Sequence, residues 1–127
     1  MSAEHVEQLR VAWVDTDAGG RIHFSNAFRW AELAETALVR DALSLNEWAN
    51  FPRKHVHAEF LKVLRFDDEI EVRLTVERLG RTSITYAWTI SKDGEAHVVG
   101  GHTVVHVDRE GKPAPLPDEV RAALSGS

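Results

Sequence analysis

The chain has 127 residues, no cysteine, and 20 acidic against 15 basic residues, a formal net charge of -5. That length suits one domain, residues 1–127, of the usual roughly 100–150 residues, with a core that needs no metal or disulfide to stand. The composition excludes disulfides, thiolate metal sites and a cysteine nucleophile, fits a reducing cytoplasm, and offers none of the clustered Lys and Arg that nucleic acid requires.

In chain order, the first ten residues carry Glu4, Glu7 and Arg10 without an apolar run. Nothing later approaches the roughly 18–20 apolar residues of a membrane span, so a cytoplasmic protein with no membrane span is expected. Gln8 to Val14 alternate loosely and end in Asp15-Thr16-Asp17-Ala18-Gly19-Gly20, which predicts a strand closed by a tight loop. Ser25 or Asn26 then supplies an N-cap, and Ala27, Trp30, Ala31, Ala34, Ala37 and Leu38 fall on one helical stripe, predicting a helix that ends near Leu43. An alanine-rich stripe lets a helix axis approach its support closely.

After a loop containing Asn46, Asn50 and Pro52, the chain reads as strands up to Asp108 with no further helix: His55–Leu64, Glu69–Leu79, Thr82–Ser91 and Ala96–Val107. Ile70, Val72, Leu74 and Val76 alternate against charged and hydroxyl residues, and Asp93-Gly94 is a two-residue hairpin signal. Gly100-Gly101 predicts a bulge or bend in the last strand. A proline-rich tail leads to a short terminal helix over Pro117–Leu124. The order predicts an α+β domain, a curved antiparallel sheet of about five strands wrapped around one long central helix.

Two carboxylates at a strand end, just before a helix start, admit three readings. Asp15 and Asp17 could be turn formers or caps. They could begin a calcium loop, but from Asp15 that pattern meets Gly19 at its fifth position and Asn26 at its twelfth, where ligands are needed. They could be catalytic.

For the third reading, the Asp-Thr-Asp-Ala-Gly-Gly signature, Phe28-Arg29-Trp30 with Glu32, Phe66-Asp67-Asp68 and Leu79-Gly80-Arg81-Thr82-Ser83 together resemble the 4-hydroxybenzoyl-CoA thioesterase family of hotdog proteins, in the branch of the Tol-Pal-associated thioesterases. The resemblance spans nearly the whole chain. It implies hydrolysis of an acyl-CoA or acyl-carrier-protein thioester, with Asp17 as nucleophile or general base and the backbone N–H of Phe24 at the helix start holding the carbonyl oxygen. It also implies that coenzyme A lies across a subunit boundary of a homodimer or homotetramer, its phosphates met by Arg81, Thr82 and Ser83, with Arg78 as an addition. Two positions depart from the family: Ala27 where a tyrosine is frequent and Arg21 where a small apolar residue is usual.

Seven histidines raise the question of a metal, and His55 with His57, or His102 with His106, could share a strand face. No third ligand sits at a recognisable spacing, so neither a metal site nor a redox cofactor is expected. His23, six residues after Asp17, is a candidate to line the acyl pocket or stabilise the loop; paired with Asp17 it also leaves a hotdog enoyl-thioester hydratase or dehydratase as the alternative enzyme. A non-catalytic acyl-CoA-binding protein is the third possibility, because fold does not dictate activity.

Overall fold

The computed structural model describes residues 3–40, 43 and 45–125. Five strands, β1 (Glu4–Arg10), β2 (Arg53–Phe60), β3 (Glu69–Leu79), β4 (Ser83–Lys92) and β5 (Glu95–Val105), form one antiparallel sheet in the order β1-β3-β4-β5-β2. The α-helices among the described residues are α1 (Ser25–Val39), α2 (Leu45–Trp48) and α3 (Asp118–Leu124).

The alternation seen in the sequence decides which sheet face is buried. Ile70, Val72, Leu74 and Val76 of β3 and Ile84, Tyr86, Trp88 and Ile90 of β4 turn to the inside, where α1 meets them with Ala27, Trp30, Ala31 and Ala34. Three of those four helix residues are alanines with no exposed surface, so the helix seats close to the strands. Burying each large apolar side chain contributes about 1.5–3 kcal/mol. Asp93 (φ 52°) and Gly94 (φ 77°) form the two-residue turn between β4 and β5, as Asp-Gly predicts.

Several expectations need correction. The first strand runs over Glu4–Arg10 rather than Gln8–Val14, because this sheet-end strand is mostly half-exposed and lacks alternation, while Trp13–Asp15 is drawn into a 3-10 turn by the Asp15 Oδ2 that accepts the Ala12 N–H at 2.8 Å. Regular α1 stops at Val39, although the Leu43 N–H still reaches the Val39 carbonyl at 3.0 Å; residues 41 and 42 of the expected helix lie outside the described residues. Helix α2 was not anticipated, since four residues are too few to show a period. Strand β2 ends at Phe60 because the N–H groups of Leu61 and Lys62 turn to the His97 carbonyl.

Gly100 and Gly101 make no bulge: both pair in register with β2 and β4, and the register shifts fall elsewhere. Their role is room. A Cβ at Gly100 would sit 2.7 Å from the Trp88 ring and against the His57 carbonyl, and one at Gly101 would sit 2.7 Å from the Tyr86 carbonyl.

Candidate active site

The segment between β1 and α1 folds as a small hairpin. Thr16 bridges Ile22, the Asp17 N–H donates to the Arg21 carbonyl at 2.8 Å, and Gly20 takes φ 76°, a conformation that glycine enters without penalty. Ile22 in turn donates to the Leu64 carbonyl at 3.0 Å, and Arg21 bridges Arg65, so the hairpin is stitched to the chain between β2 and β3.

The two aspartates take different parts. Asp15 is 2% exposed, and both its oxygens are engaged, Oδ2 by the Ala12 N–H at 2.8 Å and Oδ1 by Arg29 at 2.6 Å. Its carbonyl also receives His23 N–H at 2.9 Å and Asn26 Nδ2 at 2.8 Å, tying the loop to the first turn of α1. Asp17 is exposed; its Oδ1 accepts the Gly19 N–H at 2.8 Å, and its Oδ2 meets no donor among the described residues. One carboxylate is consumed by architecture, and the other keeps a free oxygen in a fixed turn.

Phe24 is the N-cap of α1, with helical φ -54° and ψ -31°. The next backbone donors are occupied, Ser25 by His23 Nδ1 at 3.3 Å and Asn26 by the His23 carbonyl at 2.9 Å. The Phe24 N–H finds no acceptor among the described residues, leaving an open donor at the positive end of a 15-residue helix. His23 works as a cap: its Nδ1 also lies 2.8 Å from the Ser25 hydroxyl, and its ring stacks on Phe24 at 4.7 Å.

Beside this loop lies an open groove of about 310 Å³ running from Arg21 and Ile22 past Phe24 to the 60–64 segment. Its walls are largely apolar, and Phe24, Phe60, Leu61 and Val63 are all more than 40% exposed in the single chain. Asp17 and His23 are not among its lining residues.

Arg81, Thr82 and Ser83 stand elsewhere. They form the β3–β4 turn, braced by the α3 end of the chain through Arg121 on the Gly80 carbonyl at 2.8 Å and Leu116 N–H on the Arg81 carbonyl at 2.9 Å. The Asp17 loop adjoins the opposite end of β3, where Val11 donates to the Asp68 carbonyl. Ten steps of an extended strand put these two places roughly 30–35 Å apart along one chain. Arg78 lies just before the same turn, next to the register shift between Val76 and Arg78.

A polar cluster that the sequence did not reveal is buried under α1. Glu35 has no exposed surface; its Oε1 accepts from Arg53 Nη2 at 2.9 Å and lies 2.9 Å from His102 Nε2, while Trp88 Nε1 donates to His102 Nδ1 at 3.1 Å. Glu35 Oε2 and the Tyr86 hydroxyl are buried without partners among the described residues. Burial and then the negative charge of Glu35 push the Tyr86 phenol well above its usual range, opposed by Arg53. Glu35 occupies the helical stripe where the sequence suggested Ala37 and Leu38, which are only half-buried. A charged residue on an apolar stripe is the one signal that could have exposed it.

The remaining histidines have separate settings. The His55 and His57 rings lie 5.5 Å apart on β2, and His106 Nδ1 lies 2.9 Å from the Pro115 carbonyl. Among the described residues no three His, Cys, Asp or Glu side chains gather as a metal-binding group. No helix among the described residues is long and apolar enough to cross a membrane.

Residues 11–124 match the thioesterase-like superfamily, and the chain belongs to it. A 1,4-dihydroxy-2-naphthoyl-CoA hydrolase of Synechococcus sp. (strain RCC307) is 32% identical over 127 residues, covering 89% of this chain and 95% of that protein. Among solved structures, a hypothetical protein from Aquifex aeolicus is 29% identical with a TM-score of 0.85, covering 94% of this chain and 98% of its own. A thioesterase from Thermus thermophilus, crystallised with coenzyme A and zinc, shares the fold at a TM-score of 0.86 and 24% identity, over 99% of this chain and 96% of its own. The family so shown, the hotdog thioesterases, is broader than the 4-hydroxybenzoyl-CoA branch to which the motifs pointed.

Proposed function

We propose that the protein hydrolyses an acyl-CoA thioester, consuming water and releasing a free acid and coenzyme A. The observation that carries this reading is the division of labour within residues 15–24. Asp15 is fully engaged, whereas Asp17 keeps a carboxylate oxygen that meets no donor among the described residues, on the same short loop as a Phe24 N–H that meets no acceptor among them. A thioester carbonyl held by that N–H gains charge on its oxygen in the transition state, where the helix N-terminus favours it. Asp17 then attacks the carbonyl carbon or takes a proton from the attacking water. The name of the Synechococcus relative, a hydrolase of an aromatic acyl-CoA, supports the thioester class. The reading calls on no metal or redox group.

The active unit in this reading is at least a dimer joined along β2. This strand ends the sheet, so one backbone edge has no partner strand, and Val56 (46%) and Phe60 (45%) are exposed on it. In an all-antiparallel sheet of this order, β1 and β2 run the same way, so Phe60 and the Asp17 loop share one end and the Arg81 turn lies at the other. Pairing two β2 edges antiparallel reverses the second sheet. That brings the second copy's Arg81, Thr82 and Ser83 to the end that holds Asp17, where they can meet the phosphates of coenzyme A.

The test is thiol release from a panel of aromatic, short-chain and long-chain acyl-CoAs. Asp17→Asn, checked for folding by circular dichroism, should lower turnover by about 10²–10⁴-fold. Near-normal turnover in that variant removes Asp17 from the mechanism.

A further inference from the structure

Arg21 and Arg65 oppose each other across the isolated antiparallel bridge that ties the Asp17 hairpin to the segment after β2. Residues paired this way project to the same side with Cβ atoms about 4.5–5.5 Å apart, and like charges so placed repel. Both are exposed, and neither guanidinium meets a carboxylate or carbonyl among the described residues. Arg29, on the first turns of the adjoining helix, is by contrast satisfied by Asp15 at 2.6 Å. The chain carries 20 acidic residues against 15 basic ones, and yet no carboxylate among the described residues pairs with either arginine. Asp17 does not serve, since its side chain is engaged among the described residues by the Gly19 N–H alone.

The pair also sits where substrate would pass. Arg21 lines the groove beside the hairpin, and its carbonyl receives the Asp17 N–H at 2.8 Å. The other cation of the groove wall, Lys62, is held by Glu95 at 2.6 Å. An apolar groove therefore has a single uncompensated charge on its wall, backed by a second arginine across the bridge.

We propose that Arg21 and Arg65 clamp an anionic oxygen group of the substrate, either a carboxylate borne by the acyl group or a phosphate of coenzyme A. The inference rests on the thioester reading above. Guanidinium forks match the paired oxygens of carboxylate and phosphate, and an anion between the two arginines removes their mutual repulsion. The same clamp holds a substrate anion away from Asp17, which must approach the carbonyl carbon as an anion itself.

The experiment compares wild type with Arg21→Ala, Arg65→Ala and the double variant on four substrates: succinyl-CoA, butyryl-CoA, and the N-acetylcysteamine thioesters of the same two acids, which lack every phosphate. If the clamp takes an acyl carboxylate, the preference in kcat/KM for succinyl over butyryl falls about 10- to 100-fold in the double variant with either thiol. If it takes a phosphate, both CoA esters lose that factor alike and neither N-acetylcysteamine ester does. Arg21→Lys, which keeps charge without the fork, should lose less than Arg21→Ala. Unchanged kcat/KM on all four esters, or an equal loss on all four, overturns the clamp. Should the wild type hydrolyse none of them and none of the aromatic and long-chain acyl-CoAs either, the thioester reading fails by itself. Calorimetry with non-hydrolysable thioether analogues of succinyl- and butyryl-CoA then still reads the arginines, and equal affinity in wild type and double variant overturns the proposal.

Discussion

His102 Nε2 lies 2.9 Å from Glu35 Oε1 beneath α1, and Trp88 Nε1 donates to the other ring nitrogen at 3.1 Å. An indole N–H can only donate, so Nδ1 accepts, and the proton on Nε2 points to Glu35. The chain of contacts joins α1, β4 and β5, and through Arg53 it reaches β2.

Removing the acceptor should therefore loosen several elements together. Glu35→Ala leaves the buried His102 N–H without an acceptor, while Arg53, which is exposed, keeps Glu32 at 3.4 Å, and a loss of about 1–3 kcal/mol is expected in urea unfolding at neutral pH. Glu35→Gln, whose amide oxygen still accepts, should lose less. Wild-type stability in Glu35→Ala would show that the cluster contributes nothing to the fold.

The close approach at Gly100 makes a second prediction. Gly100→Ala drives a methyl group into the Trp88 ring and the His57 carbonyl. The carbonyl cannot yield without parting β2 from β5, so a loss of about 1–3 kcal/mol is expected by thermal or urea unfolding. Gly94→Ala, with open space around its Cβ but φ 77°, tests backbone conformation alone.

Acid sensitivity should carry the mark of Asp68. Burial works against its ionisation, but the Arg65 N–H, the hydrogen bond and charge of Lys92, and His97 outweigh it and hold the carboxyl below its ordinary value of 3.8. A carboxyl depressed in the folded state adds stability that is present above pH 3.8 and lost as pH falls through the lower folded value. Urea midpoints measured downward from pH 5 should fall in that window, and Asp68→Asn should flatten this part of the decline. An equally steep decline in Asp68→Asn would clear Asp68 of the effect.

The β2 edge can be tested directly. Lysine at an open strand edge discourages pairing, so Val56→Lys with Phe60→Lys should sediment as a monomer and lose thioesterase turnover, while circular dichroism stays that of the parent. A monomeric variant with full turnover would show that one chain suffices.

Much of the architecture was legible because it depends on local pattern. Ile70 to Val76 and Ile84 to Ile90 alternate along strands with one face against the core, and Asp93-Gly94 meets the positive φ its turn requires. Asp17 and Phe24 were singled out by resemblance to a family signature rather than by pattern, and the structure sets them on one short loop before α1. Harder to see were features whose cause lies in tertiary distance. Glu35 drew no notice in the sequence because its partners, His102 and Arg53, are 67 and 18 positions away. Gly100-Gly101 resembled a bulge because the Trp88 ring that demands their smallness is on another strand. The separation of Asp17 from Arg81 is invisible in a list of motifs and obvious once β3 is drawn between them.

That separation has a genetic consequence. If each catalytic centre borrows its phosphate-binding turn from a neighbour, a chain defective at Asp17 and a chain defective at Arg81 are not equivalent cripples. Co-expressed, they assemble mixed pairs in which one centre inherits both lesions and the other inherits neither. Two inactive parents would thus yield active offspring, whereas a protein whose centres were each built from a single chain would show no such rescue.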